Sequence, residues 1–158
     1  TRLFAGETAM SLSQRCQYAV RALWELARRY GQGPVPVAEI AEAQAIPPRF
    51  LELILAQLKQ PGWVASHRGI RGGYALTVPP EELTLGEVIR FMEGPLAPVR
   101  CVAARGEDNC PLRGQCAFAD VWQRAEQAVA DVYDSTSFKD LLDAESPAPA
   151  GSQADYCI

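Results

Sequence analysis

The sequence predicts a mainly α-helical protein carrying one small β-hairpin, and three observations support that prediction. Apolar residues recur at i, i+3, i+4 and i+7 in several separate stretches, the spacing of one buried helix face. One stretch, residues 63–76, alternates as paired strands do and turns at Gly69-Ile70-Arg71-Gly72-Gly73. Gly31, Pro47-Pro48 and Pro61-Gly62 fall between the periodic stretches, where breaks between elements belong.

The elements follow in order. Ser13 is a good N-cap, and Cys16, Ala19, Val20, Leu23, Leu26, Ala27 and Tyr30 give a first helix its apolar stripe before Gly31 ends it. A second, short helix is expected over Val37 to Gln44, with Val37, Ile40 and Ala41 on one side. Proline is tolerated in a first turn, so Pro48 opens a third helix to about Gln60, expected to bury Phe50, Leu51, Ile54, Leu55 and Leu58. Strands at 63–68 and 74–76 flank the glycine turn. Three short helices followed by a hairpin is the winged helix-turn-helix plan. Thr84 and Glu87 have capping-box spacing and open a linker helix to about Met92. From Phe118 to about Tyr133, the residues Phe118, Val121, Trp122, Ala125, Val129, Val132 and Tyr133 form one stripe. Such a helix needs a covering surface: a second subunit, which makes it a dimerisation helix, or its own domain. Phe138 to Leu142 are expected to cap the end of that interface.

These elements divide the chain into a DNA-binding module at 10–80, a linker helix with a cysteine loop at 81–117, and a dimerisation segment at 118–143. Residues 1–9 precede a plausible start at Met10 and are set aside as a tag or leader. The tail, 144–158, is rich in Ala, Pro and Ser and is expected to be disordered, which makes Cys157 a poor ligand.

At 158 residues, with 48% hydrophobic and 22% charged residues, the chain is that of a soluble globular protein. No apolar run approaches the ~20 residues that span a membrane, and no secretory signal can be assembled, so a cytoplasmic location is expected. Thiols stay reduced there, which favours metal ligation over structural disulfides. The net charge of −4 is unevenly distributed. Residues 10–75 hold eight basic and four acidic side chains, whereas residues 76–158 hold six and fourteen. A basic first module on an acidic body is compatible with DNA binding by that module alone.

Within the module, the amino-terminal part of the third helix is the part that meets base edges, exposing Arg49, Glu52 and Leu53. Arg49 can pair with guanine and Glu52 can accept from cytosine N4; each is equally an ordinary solvated helix residue. Arg68 and Arg71 flank a tip made by Gly69 and Gly72, placing two guanidinium groups to enter a minor groove or clasp phosphates. A nucleotide-phosphate loop would need a helix after the glycines, and a strand follows instead. Ser13 and Tyr18 are placed to touch the DNA backbone from the first helix, and His67 is a wing or surface histidine.

The loop CVAARGEDNCPLRGQC holds Cys101, Cys110 and Cys116, three thiols with few apolar neighbours. Clustered loop thiols suggest metal or redox chemistry more than packing. A closed zinc site wants a fourth soft ligand that this loop lacks, whereas an iron–sulfur cluster accepts an oxygen or nitrogen donor at one iron. Free or disulfide-paired thiols and zinc remain alternatives. No nucleophile–base pair or carboxylate dyad points to an enzyme or to a small-molecule substrate.

Five segments resemble the Rrf-two family of bacterial transcription regulators: MSLSQRCQYAVRAL, IPPRFLELILAQLKQPGWV, SHRGIRGGYAL, LTLGEVIRFMEG and the cysteine triad, together covering Met10 to about Asp143. The resemblance implies a homodimeric winged-helix repressor or activator on a palindromic double-stranded operator. It further implies an iron–sulfur cluster, [4Fe-4S] or [2Fe-2S], in the cysteine loop, sensing iron, redox state or nitric oxide. By it, Arg49, Glu52 and Arg68 contact DNA, while the position of Leu53 is a glutamine in some members. Two departures stand out. The first cysteine gap is longer than in several members, and Ala119 replaces a ligand histidine of one branch. Another branch takes an aspartate from the partner's first helix at the position of Gln17, so the neighbouring Cys16, acting across subunits, is one candidate fourth ligand. Asp108, Glu107 and Asp120 are others.

Overall fold

The computed structural model describes residues 12–103 and 110–145. The order of elements is α1 (Gln14–Arg28), α2 (Val37–Gln44), α3 (Pro48–Leu58), β1 (Val64–His67), β2 (Gly73–Leu76), α4 (Leu85–Glu93), α5 (Arg100–Ala103), α6 (Ala119–Asp134) and α7 (Phe138–Asp143). This is the mainly α, winged helix-turn-helix architecture that the sequence predicts.

Helix α1 is the centre of the packing and touches α2, α3, α4, α7 and β2. Its Ala19, Ala22, Leu23, Leu26 and Ala27 meet Ile40, Leu51, Ile54, Leu55 and Leu58 in one core. The same helix buries a carboxylate. Glu25 is 1% exposed and accepts hydrogen bonds from Arg29 Nε at 3.0 Å and Gln44 Nε2 at 2.9 Å. Burying a charge is costly unless it is paired, so this network fixes the end of α2 against α1.

The wing is an antiparallel pair with Val64 opposite Leu76 and His67 opposite Gly73. Val35 extends it with an isolated bridge, exchanging two backbone bonds of 2.8 Å with Tyr74. A Cβ at Gly73 would strike the Val35 backbone, which explains the glycine there. Trp63 packs edge-on against Phe91 with centroids 5.3 Å apart, joining the base of the wing to α4.

The carboxy-terminal elements are laced to this body by two capping boxes, Thr84 with Glu87 and Ser137 with Asp140. Between them Leu85 donates to the Thr136 carbonyl at 2.9 Å and Phe138 to the Leu83 carbonyl at 3.0 Å. Helix α6 is different. None of its residues is buried, and Phe118, Val121 and Val132 are exposed.

The structure corrects several expectations. Phe50 is not core: it is 59% exposed, because the inward stripe of α3 is Leu51, Ile54, Leu55 and Leu58, and Phe50 lies about 100° off it. Tyr30 lies past the end of α1 and is exposed. Helix α3 stops at Leu58, short of Gln60. Phe138 does not cap an interface; it is fully buried, and α7 folds back on α1. Cys101 sits in a short helix, α5, where a loop was expected. Phe118 is the N-cap of α6 and not its first helical residue. Residues 1–9, expected to be a tag or leader, and residues 146–158 of the expected tail lie outside the described residues.

Candidate DNA interface and cysteine cavity

On α3, Arg49, Glu52 and Leu53 are all exposed on the outer face. On the wing, Arg68 and Arg71 are exposed on either side of a tip in which the Gly72 N–H donates to the Gly69 carbonyl at 2.9 Å. Gly69 has φ +111, where a side chain is strained, and a Cβ on Gly72 would crowd the His67 and Gly69 carbonyls. The tip is therefore a tight turn with one exposed arginine on each side of it. His67 ends β1 and is exposed.

The amino terminus of α1 approaches the same face. The Tyr18 hydroxyl accepts from Gln14 Nε2 at 2.9 Å, and the Arg21 guanidinium lies 5.7 Å from the Tyr18 ring centroid. Tyr18 and Leu53 meet across a groove of about 780 Å³ between α1 and α3, which Phe50 also lines. Arg15 donates to Gln57 Oε1 within it. Ser13 is exposed, but its hydroxyl accepts from the Cys16 N–H at 3.2 Å and donates to Glu93. That makes Ser13 the N-cap of α1, tied to the end of α4.

The second site lies at the opposite, acidic end of the sequence. Cys101, Cys110 and Cys116 are all half-buried, and all three line one cavity of about 570 Å³. Arg113 and the α6 residues Ala119, Gln123, Glu126 and Gln127 complete its wall. Turns after Cys110 and Cys116 place these thiols: Arg113 N–H donates to the Cys110 carbonyl at 3.1 Å and Ala119 N–H to that of Cys116 at 3.3 Å. Cys16, Cys101, Cys110 and Cys116 are free thiols. Among the described residues, no three Cys, His, Asp or Glu side chains are grouped to hold one metal ion. A closed zinc site takes four ligands at one ion, whereas an iron–sulfur cluster spreads its ligands over several irons. Three thiols on one cavity suit such a cluster in donor type.

The candidate fourth ligands fare unequally. Cys16 is fully buried in α1, and burial, with the Glu93 carboxylate beside it, pushes its thiol up to about 12. Its helical phase points it into the core, as the apolar stripe of α1 predicts. Asp120 is exposed, pairs with Arg124 at 3.7 Å and does not line the cavity. Glu107, Asp108 and Cys157 lie outside the described residues. The exposure of Phe50 and the presence of Glu126 on the cavity wall were missed. Counting the phase of α3 from Leu51 and Leu55 reveals the first; nothing in the sequence signals the second.

A winged helix with its arginines on the outer face of the third helix and on the wing defines the class of DNA-binding regulators. Residues 12–144 match the Rrf2 family of iron-dependent transcriptional regulators. The chain is 35% identical over 132 residues to the transcriptional regulator CymR of Bacillus subtilis, covering 84% of this chain and 89% of that one. It is 32% identical to IscR of Aliivibrio salmonicida over 133 residues, 84% of this chain and 77% of that one. Among solved structures, CymR, described as the global cysteine regulator of B. subtilis, superposes with a TM-score of 0.70 at 33% identity, covering 86% of this chain and 98% of that one. IscR of T. potens gives 0.68 at 32%, covering 93% and 97%. The chain belongs to the Rrf2 family. It is a DNA-binding transcriptional regulator and not an enzyme. No helix among the described residues is long and apolar enough to cross a membrane.

Proposed function

We propose that the protein is a homodimeric repressor whose affinity for a palindromic operator is set by an iron–sulfur cluster held by Cys101, Cys110 and Cys116. That three half-buried cysteines line one cavity is the observation that carries this reading. Bound there, a cluster supplies a centre sensitive to iron supply, oxidants and nitric oxide. The protein's own residues supply the rest. One side of the cavity is α6, and the exposed Phe118 at its N-cap, with Val121 and Val132 along it, suits a partner's matching helix. Arg90 joins α6 to α4 through a two-pronged pair with Asp134 at 2.6 and 2.7 Å. Glu93, at the end of α4, holds the N-cap of α1 through Ser13. Helix α5 packs on α6, α6 on α4 and α4 on α1, which links the cysteine cavity to the helix that carries Tyr18. A shift at the base of α6 would change the spacing of the two recognition helices, matched to half-sites about one helical turn (~34 Å) apart.

The first test is iron and sulfide content, with a visible spectrum, on protein purified without oxygen. Two or four irons per subunit with matching sulfide would support the cluster. Cys110→Ala should then alter operator affinity by about 10-fold, in the range of ordinary allosteric couplings, without unfolding the protein. Unchanged binding by that variant under anaerobic reconstitution would count against control by the cluster. One observation favours a second reading, a cluster-free thiol switch: the likeness to CymR, which is described as a cysteine regulator and has also been solved in an oxidised form from Staphylococcus aureus. No iron after reconstitution, with a disulfide among the three cysteines seen by mass spectrometry only without reductant, would select it.

A further inference from the structure

Phe50 and Leu53 stand out on α3. They are 59% and 70% exposed, three residues apart, and so neighbours on one helix face. The fold does not need them there, because the core stripe of α3 is complete without them. Single exposed apolar residues are ordinary, but two adjacent ones lining a groove mark a surface that something covers. What covers them is constrained by their surroundings. Arg49 and Glu52 are exposed beside them on the helix that the fold lays in a major groove. Arg15 lines the same groove from α1, with the Tyr18 ring next to it. Cationic and hydrogen-bonding groups around an apolar centre match a duplex, whose major-groove edge offers phosphates, base acceptors and one apolar group, the thymine C5-methyl.

We propose that Phe50 and Leu53 pack against C5-methyl groups in the major groove, so that each half-site carries thymine opposite the amino-terminal half of α3. This deepens the DNA-binding reading and rests on it. Arg49 and Glu52 read hydrogen-bonding edges, while the apolar pair reads the methyl that distinguishes thymine from uracil and 5-methylcytosine from cytosine.

The test uses the full chain and a duplex selected by it from a random library. Half-site thymines are replaced one at a time by uracil, which removes the methyl and keeps the pairing. At the contacted positions wild-type affinity should fall about 4-fold per methyl, the value of one buried methylene-sized group. The variants Phe50→Ala and Leu53→Gln, both at exposed positions, should bind the thymine duplex more weakly and lose the uracil effect. Any contribution of the methyl to DNA shape persists in the variants and so cancels in the comparison. Equal sensitivity to uracil in wild type and both variants would overturn the proposal, as would insensitivity at every half-site thymine in the wild type. If no duplex is selected at all, the DNA-binding reading itself fails, an outcome distinct from a methyl effect that is absent on a bound operator.

Discussion

Among the residues, the four described thiols divide by environment. Cys16 is fully buried, with a thiol pushed up to about 12 by burial and by Glu93. Only the thiolate is a nucleophile, so a thiol raised this far stays protonated and inert near neutral pH. Cys101, Cys110 and Cys116 are half-buried on an open cavity wall. Under reducing, metal-free conditions, iodoacetamide should therefore label these three within minutes and leave Cys16 unmodified until the protein unfolds. Peptide mapping by mass spectrometry reads both. Early labelling of Cys16 in folded protein would mean that α1 opens locally and that this thiol is available after all. Cys16 belonged to the core by helical phase alone, and the structure adds the reason it stays inert: a carboxylate beside a buried thiol opposes the second negative charge. The Ser13 hydroxyl, by contrast, was legible as a cap, but its bond to Glu93, eighty residues away, was not.

The elements meet most tellingly between α4 and α6. Hydrogen bonding to Arg90 is the main reason the Asp134 carboxyl lies below its ordinary range. Gly86 faces the same carboxylate, and a Cβ there would strike Asp134 Oδ1. Because that oxygen ends a mobile side chain, Gly86→Ala should fold but push Asp134 off Arg90. Exposed pairs of this kind contribute about 1 kcal/mol or less to stability. Gly86→Ala and Asp134→Asn should each cost about that much, and the double variant should cost less than their sum, since both remove one interaction. Additive costs in urea unfolding would show that Gly86 does not act through the pair. The pH dependence has a definite sign. A carboxyl whose folded pKa is depressed stabilises above its unfolded value, about 4, and that support is lost as pH falls through the folded value. Asp134→Asn should thus flatten the acid limb of stability below about pH 4 and change nothing near neutrality in its shape. How much of this level the sequence shows depends on range. Helices α1 to α3, the wing and the Thr84–Glu87 box follow from local periodicity and capping, and they fall within a few residues of expectation. Helix α5 has four residues and no periodicity to show. Phe138 looked like part of an interface stripe because its true partners, on α1 and around Leu83, are distant in sequence. The triad of cysteines was legible, while the α6 wall facing it, with Glu126 and Gln127, reads in sequence as an ordinary polar helix face.

For the whole molecule, charge is segregated along the fold. The basic side chains Arg15, Arg49, Arg68 and Arg71 lie on α1, α3 and the wing, whereas Asp120, Glu126, Asp131, Asp134, Asp140 and Asp143 lie on α6 and α7. With a net charge of −4, the chain as a whole is repelled by a polyanion, and only its basic end is attracted. That orients an approaching molecule with α3 and the wing toward the duplex, and it makes binding depend on few cations. Each phosphate neutralised contributes about −0.9 to the slope of log affinity against log salt concentration. In a dimer a single substitution removes two such contacts. Arg68→Ala should therefore reduce the magnitude of the slope by about 2, and Arg71→Ala by a similar amount, if both wing arginines sit on phosphates. Substitution of Leu53, an uncharged residue, should weaken binding at every salt concentration and leave the slope alone. Titrations of a selected operator between 50 and 200 mM salt, on the order used for such slopes, separate the two behaviours. An unchanged slope in the arginine variants would mean that the wing stands clear of the backbone, and that α3 and the end of α1 alone hold the duplex.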